Sequence, residues 1–114
     1  MHWPSFEKEK QLVEHALYSE QGEIALRQHV LPLVKSLSGF YARRHAVGIG
    51  ELVHVAYTHF DYAVLHYARR LHGRGSNRAA YNFSAYFVWY IQQSIETYLG
   101  VAKQPLTKIQ PRIA

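Results

Sequence analysis

At 114 residues, 48% of them hydrophobic and 18% charged, the chain has the size and composition of one globular domain with a single modest core. It has no cysteine, which excludes disulfides and thiolate metal sites. It also has neither a signal-peptide pattern nor an apolar run near the roughly 18 residues of a membrane span, so the expected location is the cytoplasm, off the membrane. A formal charge of +5 and a sequence pI near 9.6 suit a polyanionic partner without establishing one.

Ser5 is a plausible N-cap for a short first helix, with Glu7 and Glu9 where carboxylates meet the positive end of the helix dipole. Phe6, Val13, Ala16 and Leu17 share its face up to about Tyr18. Ser19, Gln21 and Gly22 interrupt the pattern. Leu26, Val30, Leu33, Val34, Leu37, Phe40 and Tyr41 then line one side of a second helix ending near Arg44. Pro32 either kinks this helix or marks its first turn, because proline lacks the N–H and crowds the preceding turn.

Gly48 and Gly50 make the next break. Leu52, Val53, Ala56, Phe60, Ala63, Val64 and Tyr67 form the core stripe of a third helix, and Glu51, His54, Val55, Thr58, Asp61, Tyr62 and Leu65 occupy the rest of its circumference. That mixed outer face reads either as scattered surface apolars or as a protein-docking face. Arg69 to Asn82, rich in arginine and glycine, reads as a basic loop. Ser84 is the expected N-cap of a fourth helix running to about Ala102. Pro105 and Pro111 exclude a long continuation, leaving residues 103–114 as a basic extended tail. The expected fold is all-α: a compact bundle of about four helices over residues 1–102, with a basic loop before the last helix.

That last helix carries more apolar residues than one buried face requires. Val88, Ile91, Ile95, Leu99 and Ala102 share one side, and Tyr86, Trp89, Tyr90 and Gln93 fall on the other. The second stripe is either a binding surface or a second buried face. Arg69, Arg70, Arg74 and Arg78 precede it, and Lys103, Lys108 and Arg112 follow it. Such bracketing fits a strand whose phosphates are held electrostatically while its bases stack on aromatic rings. The histidines offer no metal site, since His54, His59 and His66 lack the i, i+3 or i, i+4 spacing that lets two imidazoles share an ion. His54 and Asp61 lack a nucleophile, and the His72 to Gly75 stretch lacks the strand-loop-lysine context of a phosphate loop. No enzyme and no cofactor are expected.

The order Tyr81-Asn82-Phe83-Ser84-Ala85-Tyr86, followed by Trp89-Tyr90-Ile91-Gln92-Gln93-Ser94-Ile95, resembles region 2 of the sigma-70 family of bacterial RNA polymerase sigma factors. The family signature runs Tyr-x-Phe-Ser-Thr-Tyr-x-x-Trp-Trp-Ile-Arg-Gln-Ala-Ile. Tyr81, Phe83, Ser84, Tyr86, Trp89, Ile91, Gln93 and Ile95 match it without a gap. Ala25 to Leu37, with Leu31-Pro32-Leu33-Val34, is similar to the region 2.1 helix, and Glu51 to Tyr57 is similar to the opening of region 2.2. The resemblance spans about residues 22 to 100, and the first helix is weakly similar to the end of region 1.2.

The resemblance implies a domain that docks on the clamp coiled coil of the RNA polymerase core and opens the promoter minus-ten element on the non-template strand. Docking would fall to Glu51, His54, Val55, Thr58, Asp61 and Tyr62. By position, Tyr86 would stack at the upstream edge of the bubble, Trp89 and Tyr90 would abut the duplex junction, and Tyr81 and Phe83 would support the displaced strand. Arg74 and Arg78 would hold the backbone, and Gln93 would reach the first minus-ten base pair, a glutamine being suited to an adenine edge.

The chain departs from the family pattern in four places. The loop before Tyr81 is longer. Glu96 stands where the family has threonine or a basic residue, and His54 and Val55 replace a Gln-Glu pair. No helix-turn-helix region 4 follows, so the expectation is a solitary region 2, a piece of a longer protein, or a partner to a separate region 4 subunit. The alternative is a degenerate sigma-like interaction module that binds polymerase or a regulator without opening DNA.

Overall fold

The computed structural model describes residues 5–72 and 82–102. Among these residues there are five α-helices and no strand: α1 (Phe6–Tyr18), α2 (Glu20–His45), α3 (Ile49–Ala56), α4 (Phe60–His72) and α5 (Phe83–Leu99). The all-α expectation holds. α5 packs against each of the other four helices, so it forms the axis of the bundle.

The Ser5 hydroxyl accepts the Lys8 N–H at 3.1 Å and starts α1 as expected. Ser19 serves two helices: its N–H donates to the His15 carbonyl at the end of α1, and its hydroxyl accepts the Gly22 N–H at 2.9 Å as the cap of α2. A Cβ on Gly22 would lie 2.3 Å from the His15 carbonyl oxygen, so only glycine admits this close crossing of the two helices. α2 then runs through Pro32, which lies in mid-helix rather than in a first turn. The proline leaves the Gln28 carbonyl without its i+4 donor, and both residues are exposed, where water can replace it. Ala46, in the left-handed conformation at φ 54°, ends α2.

The single third helix expected from sequence is two helices, which raises the count above four. The Thr58 N–H and hydroxyl both donate to the Val55 carbonyl, at 3.0 and 2.6 Å. That carbonyl is the one a continuing helix would offer to the His59 N–H, so the ladder stops there. The apolar stripe crosses the turn unbroken, with Leu52, Ala56, Phe60, Ala63, Val64 and Tyr67 all buried, and periodicity therefore hides the break. α4 continues to His72, so Arg69 to His72, expected in a loop, are helical. The rest of that expected loop up to Tyr81, and the expected tail at 103–114, lie outside the described residues.

α5 begins at Phe83 with Asn82 as its N-cap, so Ser84 belongs to the first turn and is not the cap. It ends at Leu99, short of Ala102: Gly100 adopts φ 76°, and the Val101 and Ala102 N–H groups return to the Glu96 carbonyl. The centre of the bundle is aromatic. Phe83 and Phe87 stack with centroids 5.5 Å apart, and Phe60 meets Phe87 edge-on, also at 5.5 Å.

Candidate nucleic-acid interface

Asn82 makes no side-chain capping bond, and the free N–H groups at the start of α5 are met from another helix. Glu9, fully buried on α1, accepts the Ser84 N–H at 2.8 Å, the Ser84 hydroxyl, and the His29 Nε2–H of α2 at 2.8 Å. One carboxylate thus ties α1 and α2 to the first turn of α5. A negative group at a helix N-terminus is favourable, and burial strengthens the effect. Sequence reading gave Glu9 only a role in the dipole of its own helix. The signal was present in its position: Glu9 stands between Phe6 and Val13 on the apolar face of α1, a polar residue where the core is expected.

The aromatic stripe expected to face a partner is mostly interior. Tyr86 and Tyr90 are each 1% exposed and Phe83 is 0% exposed, which corrects their assignment to an open surface. α4 covers them. The Tyr67 ring lies 5.4 Å from Phe83 and 5.6 Å from Tyr86, Tyr62 meets Tyr90 at 6.1 Å, and the Tyr86 and Tyr90 hydroxyls are 3.4 Å apart. Burial and then the Tyr86 hydrogen bond raise the Tyr90 pKa, so its phenol stays neutral. Meanwhile Ile91 and Ile95 are buried as expected, while Val88 and Leu99 are only half-buried. α5 is therefore enclosed on two sides, which was the second reading of its apolar excess.

Trp89 and Gln93 remain partly accessible, and Trp89 packs edge-on against Tyr90 at 5.2 Å. Tyr81, Arg74 and Arg78 lie outside the described residues. Glu96, which stands where the family has threonine or a basic residue, is turned to an internal use: it accepts the Tyr41 hydroxyl of α2. Burial first, and then this bond, raise the Tyr41 pKa.

The residues assigned to protein docking fall together on α3, the turn and α4. Glu51, His54, Thr58, Asp61 and Tyr62 are exposed, and Val55 is half-buried. The two acids are already engaged. Glu51 accepts the Tyr98 hydroxyl from α5, and Arg27 Nη2 lies 3.8 Å from Asp61 while its Nε donates to Glu23 at 3.2 Å. Arg27 also sits over the Phe60 ring at 4.6 Å, and the Tyr57 hydroxyl donates to the Arg27 carbonyl at 2.8 Å. An exposed ion pair such as Arg27–Asp61 contributes at most about 1 kcal/mol, so it leaves Asp61 available to a partner.

No group of three metal-ligating side chains occurs among the described residues, and no helix among them is long and apolar enough to cross a membrane. No family model, curated protein or solved structure matches the chain.

Proposed function

We propose that this chain is a transcription-initiation domain of the sigma region 2 type, docking on the RNA polymerase core through the outer side of α3 and α4 and engaging the non-template strand of the minus-ten element through α5. The observation that carries this reading is the gapless motif from Tyr81 to Ile95, whose part from Phe83 to Ile95 runs along the central helix with Trp89 and Gln93 still reachable from solvent.

Magnitudes decide which aromatic does the stacking. A base on an aromatic ring gains about 1–3 kcal/mol. Withdrawing a ring as deeply buried as Tyr86 forfeits about as much in apolar burial. Trp89 incurs little of that loss, so it is the stacking residue, with Gln93 one turn on to meet a base edge and Tyr86 and Tyr90 as the floor beneath. A second reading, the interaction module that leaves DNA closed, is favoured by the burial of Tyr86 and Tyr90 and by the tie between Glu96 and Tyr41.

Tryptophan emission separates the two. In a Trp3→Phe background Trp89 is the only indole, and it should be quenched more by a single-stranded minus-ten-like oligonucleotide than by a scrambled strand of equal length. Both strands present the same charge, so equal quenching, or none, would favour the interaction module.

A further inference from the structure

The outer side of α4 carries a stacked pair of rings beside two arginines. Tyr62 and His66 lie face to face with ring centroids 4.0 Å apart at 28°, and Tyr62 is 43% exposed. Arg69 and Arg70, both exposed, follow at positions i+7 and i+8 from Tyr62 on the same helical face. Burial, and then the two nearby guanidinium charges, lower the His66 pKa, so its ring presents itself as a neutral stacking partner. The only acid on α4 is Asp61, which already lies beside Arg27.

This strip is continuous with α5. Tyr62 meets Tyr90 from one direction and Trp89 meets it from another, so the buried Tyr90 ring joins two solvent-reaching aromatics across the seam between the helices. From Tyr62 to Arg70 the helix rises about 12 Å at 1.5 Å per residue.

We propose that Tyr62, His66, Arg69 and Arg70 form a second contact surface for single-stranded DNA, on which a base stacks against the Tyr62–His66 pair and the two arginines hold the adjoining phosphates. The proposal deepens the preceding reading, on which it rests for the identity of the strand, and it moves Tyr62 from protein docking to DNA. Charge decides the occupant: a partly exposed aromatic pair followed by two cations, against the single carboxylate of Asp61 at the N-terminal end of the helix, suits a strand of bases and phosphates better than an apolar protein face.

The test uses the whole chain and a fluorescein-labelled single-stranded 12-mer, in minus-ten-like and scrambled versions, followed by anisotropy across a salt series. Tyr62→Leu combined with His66→Ala should weaken binding about 5- to 150-fold, the range of one lost stacking contact. Tyr62→Phe should bind like the parent, whereas leucine would suffice if the ring merely covered Tyr90. Arg69→Gln with Arg70→Gln should lower the slope of log affinity against log salt by about 1.4, at about 0.7 per phosphate. All four positions have solvent access, and unchanged helical circular dichroism would verify the fold. Unchanged affinity and slope in both pairs, with loss only in Trp89→Leu, would overturn the α4 surface and leave the α5 reading standing. Loss in both pairs without preference for the minus-ten-like strand would support the surface and remove the promoter reading. Binding of neither strand would overturn both.

Discussion

The inner and outer sides of the α4–α5 pair are built from the same kinds of residue and end differently. On the inner side Tyr67, Phe83, Tyr86, Phe87 and Tyr90 meet ring against ring and lose nearly all contact with water. On the outer side Tyr62 and Leu65 keep 43% of their surface in solvent, and the Tyr62 ring rests on a histidine of its own helix. A facing ring does not by itself decide burial: Tyr62 meets Tyr90 of α5 and stays exposed, whereas Tyr67 meets both Phe83 and Tyr86 and is buried. Composition alone does not separate these cases.

Three measurements would break or sharpen this contrast. The largest effect is expected from Phe87→Ala, which opens a cavity among Phe60, Phe83 and Tyr57. It should cost about 3–5 kcal/mol in a urea titration. A cost below about 1 kcal/mol would mean that the inner side is no more closed than the outer. Next is Glu9→Ala, which strips three donors of their buried acceptor and should cost about 2–4 kcal/mol. Glu9→Gln keeps one oxygen for the Ser84 N–H and should cost clearly less; equal losses would show that the start of α5 does not depend on this cap.

The smallest effect concerns acid. Burial lowers the His59 pKa below its ordinary 6.5, and burial together with Arg69 and Arg70 does the same for His66. The unfolded chain therefore takes up these protons first as pH falls. Their contribution to stability is complete above pH 6.5 and is lost as pH drops through the folded values. Urea midpoints should decline from pH 7.5 to 5.5, and His59→Gln with His66→Gln should flatten the decline. An unchanged slope in that variant would place the acid sensitivity elsewhere.

Much of the fold was legible because burial follows spacing. The Ser5 cap and most of the stripes from Leu26 to Tyr41 and from Leu52 to Tyr67 follow from local chemistry and period, but Phe40, expected on the core face of α2, is 46% exposed, and Leu37 and Val53 are only half-buried. The break at Thr58 was not legible, since a hydroxyl turning back on the Val55 carbonyl leaves the apolar period intact. The candidate site was half legible. The wheel identified an unusual second face on α5, but whether water or a neighbouring helix meets that face depends on residues about twenty positions away. Glu9 and Ser84 are separated by 75 residues. No local pattern pairs them, although a lone acid in an apolar stripe indicates that some partner is owed to it.

The Glu9 cluster also sets an order of events during synthesis. Glu9 and His29 leave the ribosome early and can pair as soon as α1 and α2 meet, whereas the Ser84 donors are made 75 residues after Glu9. Until then the nascent chain holds a carboxylate in a half-built interior with only one of its three bonds formed. The first helix is thus held ready for the last, and a chain that lacks Glu9 would emerge without this carboxylate at the start of its central helix.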